Sequence, residues 1–172
     1  FIDYASQADW DALVFDTAPT GHTMRLLELP MDWSQQIDVK VFASVDGSAA
    51  DDVAKQRFGQ VIGMMRDPSQ STFAFVMYPE ATPILEAWRA AQELGIVGVC
   101  SGLVVANMVI PPEQTTTPFV QSRRAMQEKY LAEIGERFGV PLVQVPLLSR
   151  EVKGLEMLAE LGEQIYGEKV TA

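Results

Sequence analysis

The stretch DALVFDTAPTGHT, residues 11–23, decides how this chain is read. An apolar run, Ala12-Leu13-Val14-Phe15, meets Asp16 and then breaks into hydroxyls, Pro19, Gly21 and His22, the only histidine of 172 residues. Such a run predicts a strand buried on both faces. A carboxylate at the exit of that strand can hold Mg²⁺ directly or through its water. A glycine soon afterwards lets the backbone approach a terminal phosphate and donate an N–H to it. The hydroxyls of Thr17 and Thr20 suit metal-bound water or a phosphate oxygen. An acid at a strand end is equally the mark of a turn or a helix cap; the whole string DTAPTGHT is more specific.

Three further apolar runs follow: TFAFVMY (72–78), GLVVANMVI (102–110) and PLVQVPLL (141–148). Residues at helical spacing lie between them. Val53, Phe58, Val61, Ile62 and Met65 mark a helix over 51–66. Ile84, Leu85, Trp88, Ala91 and Leu94 mark one over 80–94, with Gly95 as its stop. Phe119, Met126, Tyr130, Ile134 and Phe138 mark one over 117–138. Leu155, Leu158, Leu161 and Ile165 form a last stripe. Strand and helix alternate, which predicts an α/β fold: a doubly wound, mostly parallel sheet with helices on both faces. The pattern is weakest over 30–50. In open sheets of this kind, ligands sit at the carboxyl ends of the strands. There the sequence places Asp16 to His22, then Pro79-Glu80, then Pro111-Pro112-Glu113, then Leu148 to Glu151.

Composition narrows the classes. The chain is 48% apolar and 21% charged, with a net charge of −10 and no basic face, so a nucleic-acid partner is not expected. One cysteine, Cys100, allows no disulfide within the chain and no cysteine zinc site, and reads as a small buried hydrophobe in a cytoplasmic protein. The most apolar segment, 94–112, is broken by glycines, Ser101 and Asn107. It reads as a helix end, a turn and a strand, and no transmembrane segment is expected.

FDTAPTGHTMRLLELP, residues 15–30, closely resembles the second switch segment of the arsenite pump ATPase (ArsA) family, which also contains the targeting ATPase for tail-anchored membrane proteins. The likeness extends to RDPSQSTFAFVMYPEATPILEAWRAAQELGI (66–96), to VVANMVIP, to MQEKYLAEI and to VPLLSREVKGLEML. It is weakest at 31–50. The resemblance implies a deviant P-loop type fold, here one ArsA-like domain's C-terminal part. That part divides into the switch-two segment 15–30, a variable region 31–66 and an adenine-side region 102–154. It implies that Asp16 acts in the Mg²⁺ and water network, through water, with Thr17 beside it. Gly21 would sense the γ-phosphate, while Thr20 and His22 shape the loop. Glu80 would contact nucleotide, or else cap the helix that follows. Asn107 would hydrogen-bond the adenine edge. Pro146, Leu147, Arg150, Glu151, Val152 and Lys153 would wall the base, the charged ones being otherwise a solvated helix start.

The sequence also departs from the family's pattern. No G-x-x-x-x-G-K-[ST] loop occurs, so the β- and γ-phosphates lack their cradle. Phe1 is accordingly expected to lie inside a longer protein that supplies the N-terminal strands, and this chain alone is expected not to hydrolyse ATP. Thr117 and Val120 stand where targeting members carry Cys-x-x-Cys, so no zinc is expected. No cysteine stands after the switch to bind arsenite. The segment 31–65 is short, although Met31, Trp33, Val39, Val41, Phe42, Met64 and Met65 would suit an apolar client. The implied cofactors are ATP and Mg²⁺. The implied partners are ATP or ADP, a second copy in a homodimer of the intact protein, and a membrane-protein client or a membrane pump subunit. The alternative is a non-enzymatic scaffold or client-binding module that kept the fold and lost nucleotide chemistry.

Overall fold

Three of the four apolar runs become strands. In a computed structural model, which describes Tyr4, residues 10–16 and residues 49–167, the elements follow in order. They are α1 (Ala49–Arg66), β1 (Phe73–Met77), α2 (Ala81–Ile96), β2 (Ser101–Val109), a 3₁₀ turn (Pro112–Gln114), α3 (Pro118–Phe138), β3 (Leu142–Pro146) and α4 (Gly154–Tyr166). The three strands form one parallel sheet in the order β1-β2-β3. The chain is therefore α/β with a parallel sheet, as the alternation predicts. By its contacts it divides into two compact units, Phe1–Thr72 with Ala90–Cys100, and Phe73–Arg89 with Ser101–Ala172.

The second unit holds the sheet. Sequential parallel neighbours joined by right-handed crossovers place α2 and α3 on the same face. The contacts agree: the Phe138 ring near the end of α3 lies 6.0 Å from Phe75 of β1 and 5.4 Å, edge-on, from Trp88 of α2. Val104 and Ala106 of β2 and Ile134 of α3 are fully buried. Each large apolar side chain so buried contributes about 1.5–3 kcal/mol. α3 is bounded by its own chemistry. The Thr117 hydroxyl accepts a hydrogen bond from the Val120 N–H at its start, and Gly139, at φ 61°, ends it.

The first unit holds α1 and the turn that leaves α2. The predicted stop at Gly95 is corrected: the helix runs on to Ile96, and the left-handed residue is Gly98 at φ 80°. The Val99 N–H reaches the Leu94 carbonyl and the Gly98 N–H reaches Gly95, both at 3.0 Å. This is a Schellman closure, which requires its positive φ at the first residue beyond the cap, three positions later than Gly95. Val99 and Leu94 are both buried and complete it. The alternation of the chain then turns Cys100 outward; it is exposed, not the buried hydrophobe expected. After α1, Asp67 accepts from the Ser69 hydroxyl (2.7 Å), the Ser69 N–H (2.9 Å) and the Gln70 amide (2.6 Å). The Ser69 hydroxyl, then its N–H, then Gln70 hold the Asp67 carboxyl below its ordinary value.

Three expectations fail at the level of faces. Residues 12–16 are described as irregular and exposed, not as a strand, with Val14 94% exposed. A doubly buried strand needs hydrogen-bonding neighbours and covering helices, and the described sheet consists of β1, β2 and β3 alone. β1 is likewise covered on one side only: Phe75 and Met77 are buried while Val76 is 65% exposed. α4 also turns part of its stripe outward, at Leu155 and Leu158.

Candidate functional site

Parallel pairing sends all three strand exits to one edge of the sheet. Glu80 follows β1, Asn107 lies near the end of β2, and residues 146–153 follow β3. The site thus gathers Glu80, Asn107 and the 146–153 segment within the second unit. Asp16 is described as exposed, in the first unit. Thr17, Thr20, Gly21 and His22 lie outside the described residues.

At the β1 exit, Pro79 is fully buried and the Glu80 N–H closes a tight turn on the Tyr78 carbonyl at 2.8 Å. The Glu80 carbonyl starts α2 by accepting from the Ile84 N–H. Its carboxylate goes elsewhere, to Arg123 of α3 at 2.5 Å. Both side chains are about two-fifths exposed, so the pair contributes at most about 1 kcal/mol. Its main effect is to fix where the carboxylate points.

The β2 exit carries the most unusual backbone. Ala106 pairs with Gln144 and Val109 with Pro146, so β2 spends one residue more than β3 over the same span. This is a β-bulge at Asn107-Met108, a device that re-aims side chains at sheet rims. Met108 sits at φ 56°, in the left-handed region, at a cost of about 1–2 kcal/mol for a residue with a Cβ. Side chains offset this cost. The Asn107 Oδ1 accepts from the Met108 N–H at 2.9 Å. Gln127 of α3 donates from Nε2 to the Met108 carbonyl at 3.0 Å and accepts at Oε1 from the Ile110 N–H at 2.8 Å. Arg124 donates to the Ile110 carbonyl. Because Oδ1 takes the Met108 N–H, the amide is held in one orientation, and its Nδ2 has no hydrogen-bond partner among the described residues.

At the β3 exit, Pro146 occupies the strand end, a position that tolerates a missing N–H. The Leu147 N–H donates to Val109 at 2.8 Å and its side chain stays partly exposed. Val152 is half-buried, while Arg150, Glu151 and Lys153 are exposed. Arg150 faces Glu160 at 3.0 Å and Lys153 faces Glu151 at 2.7 Å. The rim cations Arg123, Arg150 and Lys153 are thus each balanced by a carboxylate. The chemistry on offer is an unpaired amide donor on β2, with apolar Pro146 and Leu147 at the end of the neighbouring β3. Among the described residues no cluster of three metal-ligating side chains occurs, and no helix is long and apolar enough to cross a membrane.

Sequence reasoning missed Gln127, Arg124 and the bulge. The only signal for Gln127 is a polar residue inside the apolar stripe of α3, between Met126 and Tyr130.

A parallel α/β sheet whose strand exits share one carboxyl edge defines the open-sheet class, in which ligands bind at that edge. Within it, the chain belongs to the anion-transporting ATPase (ArsA) family, whose family model matches residues 1–167. It is 46% identical to a putative arsenical pump-driving ATPase of Halobacterium salinarum, over 97% of this chain and 26% of that protein. It is 31% identical to ATPase ARSA2 of Chlamydomonas reinhardtii, over 87% of this chain and 50% of the relative. It is 29% identical to ATPase get3 of Schizosaccharomyces pombe, over 91% of this chain and 54% of the relative. The chain therefore spans between about a quarter and a half of the curated relatives it matches.

Proposed function

We propose that this chain is the base-side part of an ArsA-type ATPase that couples ATP binding and hydrolysis to conformational change, in anion export or in membrane-protein targeting. The observation that supports the reading is the unpartnered Nδ2 of Asn107, near the exit of β2, the strand between the other two. In this reading Asn107 binds the adenine edge, and the 146–153 segment walls the base. Glu80 stands by with its carboxylate braced on Arg123. Asp16, an exposed carboxylate, fits a water-mediated Mg²⁺ contact with Thr17 beside it. Mg²⁺, when bound, would neutralise charge on the β- and γ-phosphate oxygens. The Gly21 N–H would hold the γ-phosphate and Thr20 and His22 would order the loop, which loss of that phosphate releases. Partners follow from the same reading: a second copy in a homodimer of the intact ATPase, and a membrane pump subunit or an apolar membrane-protein client. No zinc belongs to this reading, because Thr117 and Val120 stand where targeting members carry Cys-x-x-Cys.

Asp16→Asn in a full-length ATPase carrying this sequence should abolish ATP turnover while leaving the circular dichroism spectrum unchanged. Normal turnover would remove Asp16 from the mechanism. Since every described rim cation is already paired, calorimetry on this chain alone should give no tight Mg-ATP binding, whereas tight binding would favour a complete site here.

A further inference from the structure

We propose that Gln127 is the positioning residue for Asn107: it holds the β2 bulge in the backbone conformation that turns the Asn107 amide toward the ligand rim. The proposal rests on the base-contact reading of Asn107 given above. Gln127 is 5% exposed and is the one buried polar side chain among the described residues. A carboxamide is expensive to bury unless both ends are paired, and an apolar residue would brace a helix on a strand more cheaply. Both ends of Gln127 are paired, and both pairs fall on the bulge, at the Met108 carbonyl and the Ile110 N–H.

The consequence for Asn107 is geometric. The N–H of Met108 is held by Asn107 and its carbonyl by Gln127, so side chains hold both polar groups of the left-handed residue. If Gln127 lets go, Met108 relaxes toward ordinary extended backbone, and Asn107 loses the donor that fixes its Oδ1. A fixed amide presents Nδ2 as donor and the second lone pair of Oδ1 as acceptor. That pair matches the ring nitrogen and amino group of adenine and clashes with the carbonyl of guanine. Gln127 therefore sets base preference without touching the base.

The test uses a full-length ATPase carrying this sequence, labelled with ¹⁵N, as wild type, Gln127→Met and Asn107→Ala, with binding of ADP and GDP followed by NMR. In Gln127→Met the Asn107 side-chain amide signals should move toward free-amide positions. Exchange at Met108 and Ile110 should quicken, while Val104 and Ala106 stay protected. The preference for ADP over GDP should fall about tenfold, one directed hydrogen bond's worth, to the level of Asn107→Ala. Asn107 signals that keep their wild-type positions while Ile110 exchange quickens would overturn the proposal and leave Gln127 a mere brace. An unchanged ADP preference in Asn107→Ala, with Asn107 signals still displaced by Gln127→Met, would sink the base-contact reading and leave the positioning standing. Should Gln127→Met lose protection at Val104 and Ala106, Met108→Gly is added. Glycine accepts a positive φ unaided, so the Asn107 signals should return, and their failure to do so overturns the proposal.

Discussion

Asn107 has two hydrogen-bonding ends with different tasks, so two substitutions separate them. Asn107→Ala removes both the Oδ1 bond to Met108 at 2.9 Å and the unpartnered Nδ2 donor. Each half-exposed bond is worth about 0.5–1.5 kcal/mol. Loss of the inner one should lower unfolding free energy by about 1 kcal/mol, read as a shifted urea midpoint. Loss of the outer one should weaken nucleotide about 3- to 10-fold. Asn107→Asp keeps an oxygen for the Met108 N–H but replaces the donor with an acceptor. It should therefore retain the wild-type midpoint and still lose base affinity. Calorimetry with ATP and ADP on the full-length ATPase is the assay. Both nucleotides should weaken alike, because a base contact does not distinguish phosphates. An effect confined to ATP, or wild-type affinity in both variants, would refute the reasoning.

Ile134→Ala should cost about 2–5 kcal/mol in urea unfolding, since the side chain is fully buried on α3 against the sheet-bearing unit's core. Gly98→Ala should destabilise by about 1–2 kcal/mol. It forces a Cβ onto φ 80°, 3.3 Å from the Arg66 Nε that donates to the Val97 carbonyl. Asp67 should add an acid-sensitive contribution to stability. Its carboxyl is held below the ordinary 3.8, so its stabilisation is complete above that value and is lost as pH falls through the lower folded one. Asp67→Asn should flatten that acid limb in a pH series of thermal unfolding, and an unchanged limb would show that the Ser69 and Gln70 bonds do not matter there.

The α/β class, the strands at TFAFVMY, GLVVANMVI and PLVQVPLL with their parallel sense, and all four described helices were legible in the sequence. So was the gathering of Glu80, Asn107 and the 146–153 segment at one edge. These follow from local periodicity and from the rule that parallel strands exit together, neither of which needs distant contacts. Tertiary structure decided the rest. ALVFD has a strand's composition, yet its described residues lie outside the sheet, because a strand is defined by its neighbours and not by its own apolarity. Val76 is exposed for the same reason: coverage of a face depends on what packs there. The bulge at Asn107-Met108 arises from a one-residue mismatch between two strands, and it is held by Gln127, 19 residues from Met108. A hydrogen bond across that separation leaves no periodic trace in sequence, and only the folded chain brings its two ends together.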